Sequence, residues 1–297
     1  MRRITNISPT SYREAVESIS LALSRQYRKP YSYSLSVLSS LLNISKEQII
    51  LNLDKPLTKS QIMVVNSANR KLLTEYPISY ILGNISFYNE NYIVNDNVLI
   101  PRPETELLVE TAIGFIDKYR HNLPLNILEV GTGSGCISIS ILNNIKNLNV
   151  QILATDVSND ALEVANLNVK ENLHKIRLDL IKFASQDILI ESPNEKYDLI
   201  ISNPPYIPFD EYKKLGKSLF YEPQVALTDF GDGLKYYERL AIVVHNCLKA
   251  DGNALFELHS INTSNILKIF KNVLGNSVQY EVIKDVYGRK RMLKIIT

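Results

Sequence analysis

The stretch ILEVGTGSG, residues 127–135, decides how the rest of the chain is read. An apolar run ends in three alternating glycines, Gly131, Gly133 and Gly135, and a helical run follows. Glycine there permits positive φ and lets the backbone approach a ligand that a Cβ would hold away. The helix behind it begins with free N–H groups suited to a negative charge. By itself such a turn is a weak signal, compatible with a nucleotide-type ligand or with a plain strand-to-helix connection.

The surrounding pattern adds weight. β-type runs recur at 127–130, 151–155, 181–183, 198–202 and 254–258, most of them separated by helical stretches. One helix is predicted over 158–172 with Ser158 as its N-cap. Strands alternating with helices predict a parallel sheet covered on both faces. Two further strands, 278–283 and 292–296, flank the loop DVYGR (285–289).

Upstream the texture differs. Tyr12, Ala15, Val16, Ile19, Ala22, Leu23 and Tyr27 have the spacing of an amphipathic helix, and Leu35, Leu38, Leu41 and Leu42 suggest a second. Thr58 and Gln61 form a capping box that opens a helix running to about Glu75. ISFYNENYIV (85–94) reads as a hairpin turning around Asn89-Glu90-Asn91. The expected organisation is a helical domain over 1–76, a β-hairpin linker over 77–97 and an α/β domain over 98–297.

Composition narrows the class. No apolar run approaches the ~20 residues of a membrane span, and the N-terminus lacks an apolar signal core. The two cysteines, Cys136 and Cys247, make neither a metal pair nor a disulfide framework, so a cytoplasmic protein is expected. The four histidines are scattered, and no metal site is expected. Residues 1–80 carry eleven Lys/Arg against five Asp/Glu, an excess spread along the segment as on a solvated helical surface, with an acidic macromolecular partner as the alternative.

Several residues after the strands can carry chemistry. The dinucleotide fingerprint needs glycine or alanine where Cys136 stands, so the loop, with Thr132 and Ser134 between its glycines, suits a ligand without a pyrophosphate, adenosine attached to an amino acid. Asp156, twenty-one residues after Gly135, could accept from ribose hydroxyls or serve only as a turn residue before Ser158. Asp187 could reach an adenine amino group, with Ile188 against the ring, or be a solvated loop carboxylate. Glu129 could face a ligand ammonium or water.

IISNPPY (200–206) ends a β-branched run in an amide, two prolines and an aromatic ring. In a parallel sheet this lies beyond the carboxyl end of a strand, where ligands bind. The side-chain carbonyl of Asn203 and the backbone carbonyl of Pro204, stiffened by Pro205, can accept both N–H bonds of a planar –NH₂ group. Tyr206 can stack on that plane. Such a pair would turn an amide or aromatic amine toward an electrophile and favour the positive charge developing on nitrogen. The plain alternative is a rigid Asx-Pro turn.

These residues carry a resemblance. EVGTGSG followed by Asp156 looks like the S-adenosylmethionine site of class I methyltransferases, and NPPY resembles their amino-methylating branch. PISYILGNISFYN (77–89), VLIPRPETELLVE (98–110), YDLIISNPPYIP (197–208), YEPQVAL (221–227) and DVYGRKRML (285–293) are together similar to the release-factor glutamine methyltransferase family. The resemblance implies a Rossmann-like seven-stranded sheet with a reversed last strand plus a small helical domain. It also implies S-adenosyl-L-methionine as cofactor and class I peptide chain release factors as protein substrate, methylated on the glutamine of their Gly-Gly-Gln motif. Gly131 to Gly135, Asp156 and Asn203 would contact the cofactor, Asn203 to Tyr206 the glutamine, and Thr105 and Glu106 would close over the reacting groups. A monomer without direct nucleic-acid contact is expected. Two positions depart from the family pattern: Ile188, where relatives can carry an aromatic, and Phe230, where a small residue is usual. The related methylase of a ribosomal-protein glutamine and an amino-methyltransferase of a nucleic-acid base are the alternatives, and a dinucleotide oxidoreductase is disfavoured by Cys136.

Overall fold

A computed structural model describes residues 8–24, 26–118, 124–146 and 149–297. The chain divides into two compact units, one of residues 1–83 with 216–221, the other of residues 84–215 with 222–297.

The smaller unit is helical: α1 (Tyr12–Leu23), α2 (Pro30–Leu42), α3 (Lys46–Leu51), α4 (Lys59–Leu73) and α5 (Ile78–Leu82). Ala15, Val16, Ile19 and Leu23 on α1 pack with Val37, Leu38, Ile49, Val65 and Leu72, which is the core that the apolar spacing predicts. Thr58 and Gln61 cap α4 reciprocally as expected, and Ser45 with Gln48 does the same for α3, a helix the sequence reading omits.

The larger unit opens with a hairpin, β1 (Asn84–Phe87) and β2 (Glu90–Ile93). Its turn is Tyr88-Asn89, both at positive φ, rather than Asn89-Glu90-Asn91, because a two-residue loop with both φ positive matches the twist of the strands. There follow α6 (Glu106–Lys118), β3 (Leu125–Val130), α7 (Cys136–Asn144), β4 (Val150–Asp156), α8 (Asn159–Asn172), β5 (Ile181–Ser185) and β6 (Tyr197–Ser202). The chain ends with α9 (Phe209–Tyr212), α10 (Lys235–Cys247), β7 (Leu248–Glu257), α11 (Thr263–Leu274), β8 (Gln279–Lys284) and β9 (Lys290–Ile296).

The hairpin is no free linker. Asn168 on α8 accepts from Ile93 N at 2.6 Å and donates to Ile93 O at 3.0 Å, and Tyr92 OH meets Ser140 Oγ at 2.7 Å. The hairpin therefore belongs to the larger unit, whereas residues 77–83 group with the helices.

Among the described residues seven strands form one sheet in the order β5-β4-β3-β6-β7-β9-β8. β9 runs antiparallel to both of its neighbours, β7 and β8, and the other pairings in the sheet are parallel. Alternate side chains feed two cores: Ile127, Ile201 and Leu255 pack on the face of α6 and α7, while Leu128, Ile200 and Phe256 pack on the face of α10 and α11. This is the fold of class I S-adenosylmethionine-dependent methyltransferases. The order reverses between the adjacent strands β3 and β6, so a crevice opens beyond their carboxyl ends. No helix among the described residues is long and apolar enough to cross a membrane.

Candidate active site

A cleft of about 840 Å³, open to solvent, lies at the carboxyl ends of β3, β4, β5 and β6. Gly131 and Gly133 line it after β3, Asp156 at the end of β4, Asp187 and Ile188 after β5, and Asn203, Pro204 and Pro205 after β6. The topology thus gathers residues from four separate sequence stretches at one switch point.

The glycine loop is built as its sequence requires. Gly131, Gly133 and Gly135 have φ of 73°, 54° and 79°, and a Cβ added at Gly131 or Gly133 would meet nothing within 4 Å. That open space is the cleft they line, a cradle that side chains would fill. Gly135 caps α7, while Thr132 and Ser134 are buried; none of the three lines the cleft. Asn168 donates to Ser134 O at 2.9 Å and so ties the loop to α8.

Asp156 braces the same loop. Its Oδ2 accepts from Gly133 N at 2.8 Å and its Oδ1 from Ser158 N at 3.0 Å. Burial pushes its carboxyl above the usual range, and these two N–H donors pull back. A carboxylate has about four acceptor positions, so Asp156 keeps capacity for a ligand's hydroxyls. Asp187 Oδ1 accepts from Leu189 N at 2.9 Å, a turn-forming bond that leaves its other oxygen for the cleft it lines. Ile188 is buried against the face of α10, and its carbonyl accepts from Arg239 Nε.

Glu129 lies beneath the loop, fully buried. Its Oε2 accepts from Thr132 Oγ1 at 3.0 Å and from the Ser138 hydroxyl, while Oε1 has no partner. Burial raises its pKa to about 7; the Ser138 and Thr132 donors oppose this and Asp156 reinforces it. An orphaned buried carboxylate oxygen beside a glycine cradle fits a cationic group better than water alone.

On the other side of the cleft, Asn203 Nδ2 donates to Thr105 Oγ1 at 3.2 Å, and Thr105 Oγ1 donates to Glu257 Oε2 at 2.7 Å. Tyr206 does not line the cleft. Its hydroxyl donates to Glu257 Oε1 at 3.1 Å, and its ring stacks on His259 at 5.7 Å. The backbone of 207–209 is fastened to the following loop by Ile207 N on Leu227 O at 2.9 Å and Phe209 N on Gly231 O at 2.8 Å. Phe230, at φ 61° and half exposed, occupies a left-handed position in that loop, one uncommon for a bulky side chain. Of the two residues expected to close over the site, Thr105 joins the Asn203 network, whereas Glu106 accepts from Tyr88 N at 2.9 Å and so holds the hairpin turn.

The sequence reading missed Glu257 and Glu222. Glu222, almost fully buried, accepts from Ile100 N at 3.0 Å and pairs with Arg102 at 2.5 Å, holding the PRPETE segment in place. Each acidic residue sits inside or beside an apolar strand or loop, and a single sequence carries no sign of which carboxylates are buried.

A family profile for the methyltransferase small domain matches residues 106–259, and one for the PrmC N-terminal domain matches residues 14–83. The release factor glutamine methyltransferase of Flavobacterium psychrophilum is 34% identical over 267 residues, covering 89% of this chain and 90% of that protein. The chain belongs to the release factor glutamine methyltransferase family. A bifunctional methyltransferase of Rickettsia prowazekii is 34% identical over 277 residues, 87% of this chain, but the chain spans only 52% of that relative's length. A solved release-factor-specific protein-(glutamine-N5) methyltransferase from Alicyclobacillus acidocaldarius is 25% identical, with a TM-score of 0.41 over 69% of this chain and 98% of that one. That overlap is too loose to bear on geometry. The 14–83 match lies within the smaller unit, and the 106–259 match lies in the larger one except for residues 216–221.

Proposed function

We propose that this chain transfers a methyl group from S-adenosyl-L-methionine to the side-chain amide nitrogen of the glutamine in the Gly-Gly-Gln motif of class I peptide chain release factors. The observation that carries the reading is a single cleft joining a glycine cradle, two strand-end carboxylates and the Asn203-Pro204-Pro205 loop. The residues suit the cofactor: Asp156 and Asp187 offer acceptors for hydroxyl and amino groups, Ile188 an apolar contact, and the unpaired oxygen of Glu129 a counter-charge for an ammonium. When bound, this cofactor supplies an electrophilic methyl group on a sulfonium.

The chain's own residues prepare the nucleophile. A carboxamide nitrogen is weakly nucleophilic because its lone pair is delocalised. Asn203 and Pro204 accept its N–H bonds and hold it in the orientation that frees the lone pair. Their carbonyl dipoles favour the positive charge that gathers on nitrogen, so no ionised base is needed at that stage. The surplus proton leaves to water. On this reading the partner is the release factor itself, met in the cytoplasm by a monomer that makes no direct contact with nucleic acid.

The test is an acceptor assay with labelled cofactor and three substrates: a release factor, a glutamine-bearing ribosomal protein and duplex or structured nucleic acid. Label on the release factor, lost when its Gly-Gly-Gln glutamine is replaced, is expected. Label on the ribosomal protein or nucleic acid alone would overturn the proposal.

A further inference from the structure

Glu257 closes β7, the strand beside β6 from which Asn203 emerges, and its side chain is buried. Its main-chain carbonyl accepts from Tyr237 OH at 2.7 Å, so the strand end is held as well as the side chain. One carboxylate oxygen takes the hydroxyl of Thr105 and the other that of Tyr206. Burial pushes its carboxyl above the usual range; the Thr105 and Tyr206 hydroxyls and the charge of Arg291 on β9 pull it back, and Glu104 adds to the rise.

The polarity of this chain of bonds follows from chemistry. A carboxamide NH₂ can only donate, so Thr105 Oγ1 accepts from Asn203 and must send its own hydrogen elsewhere. Glu257 Oε2, at 2.7 Å, receives it. The sequence of donors is Asn203 to Thr105 to Glu257, and it ends on a carboxyl whose two oxygens both accept, one from Thr105 and the other from Tyr206. With one N–H of its NH₂ given to Thr105, Asn203 has its Oδ1 as the acceptor left for the cleft that it lines. Were Thr105 free to donate to Asn203, the carboxamide would turn over. A donor would then meet the N–H bonds of the incoming amide.

We propose that Thr105 and Glu257 are positioning residues that set which end of the Asn203 carboxamide faces the cleft. The consequence for turnover rests on the amide-methylation reading; the orientation itself does not. Tyr206 belongs to the same device, securing the second oxygen of Glu257 rather than stacking on the substrate.

Two near-isosteric variants and one rescue test this. Thr105→Val removes the relay hydroxyl and should lower kcat about a hundredfold, the effect of a reacting group misplaced by about an ångström, with the cofactor Kd changed by no more than about twofold. Thr105→Ser restores the hydroxyl and should stay within about threefold of wild-type kcat. Glu257→Gln offers an N–H that lets the relay reverse, and kcat should fall by about tenfold. A second readout needs no turnover. In the free ¹⁵N-labelled protein, the Asn203 side-chain NH₂ signals, identified by their loss in Asn203→Ala, should be protected from solvent exchange in wild type and Thr105→Ser but not in Thr105→Val. Unchanged kcat in Thr105→Val or Glu257→Gln, equal damage from Thr105→Ser, or unchanged exchange in Thr105→Val would each overturn the proposal. If wild-type protein methylates no glutamine acceptor, the proposed function fails, and the exchange comparison still decides the orientation.

Discussion

Gly233 provides a sharp test of how the Asn203 loop is held. It adopts φ 81°, and its N–H donates to Asp229 Oδ1 at 3.0 Å. A Cβ placed there would lie 2.4 Å from the Tyr206 carbonyl oxygen, 3.1 Å from its carbonyl carbon and 3.3 Å from Pro208 N. All three are backbone atoms, so no rotamer change relieves the clash. Ordinary contact begins at 3.4 Å, and the shortest approach is therefore about 1 Å too close. In Gly233→Ala the 206–208 backbone must move by nearly that amount, and it carries Asn203 and Pro204 with it. The left-handed backbone costs ~1–2 kcal/mol for alanine and the overpacking ~1–3 kcal/mol more, so the loss of stability is ~2–5 kcal/mol. At ~2–4 °C per kcal/mol this lowers the unfolding midpoint of the larger unit by on the order of 10 °C. A shift approaching an ångström at the loop should cut kcat by about a hundredfold. Gly231→Ala is the control. A Cβ there would meet Asp229 Oδ1 at 3.5 Å, an ordinary contact, and the position has no positive φ, so both effects should be small. Calorimetry and methyl transfer to a release factor measure both. Wild-type values for Gly233→Ala, or equal damage from the two variants, would refute the reasoning.

Other expectations follow from the same cleft. Asn203→Ala should abolish methyl transfer while leaving cofactor binding measurable by titration calorimetry, since the glycine cradle and Asp156 remain. Asp156→Ala should raise the cofactor Kd by about ten- to a hundredfold, because it removes a ligand acceptor and the brace on Gly133 together. Glu129 has its pKa raised to about 7 by burial, so the folded protein holds a proton that the unfolded chain has released between the ordinary carboxylate value of 4.5 and that point. Its contribution to stability is fully present below pH 4.5 and is lost as pH rises through about 7; Glu129→Gln should flatten that part of a stability-versus-pH curve. If the ionised form pairs with a ligand ammonium, cofactor affinity should rise over the same interval in wild type and not in Glu129→Gln.

The sequence by itself determined the parallel sheet, the helical N-terminal unit and the strand-end positions of Gly131, Asp156, Asp187 and Asn203. Each depends on local periodicity, caps or glycine spacing, which act within a few residues of one another. The tertiary structure decided what those positions do to each other. Sequence spacing made Tyr206 a stacking ring, but Glu257, reaching over from the next strand, takes its hydroxyl, and Tyr206 is not among the residues that line the cleft. Residues 77–97 read as a hairpin linker, but Asn168, seventy-five residues beyond Ile93, pairs with both of its backbone groups and docks the hairpin on α8. Glu129 and Glu257 carried no mark of burial in the sequence, because whether a carboxylate meets water or a hydroxyl depends on which strands lie side by side. Pairing of β6 with β7 sets Asn203 near Glu257, the turn ahead of α6 brings Thr105 to both, and no local pattern encodes that meeting.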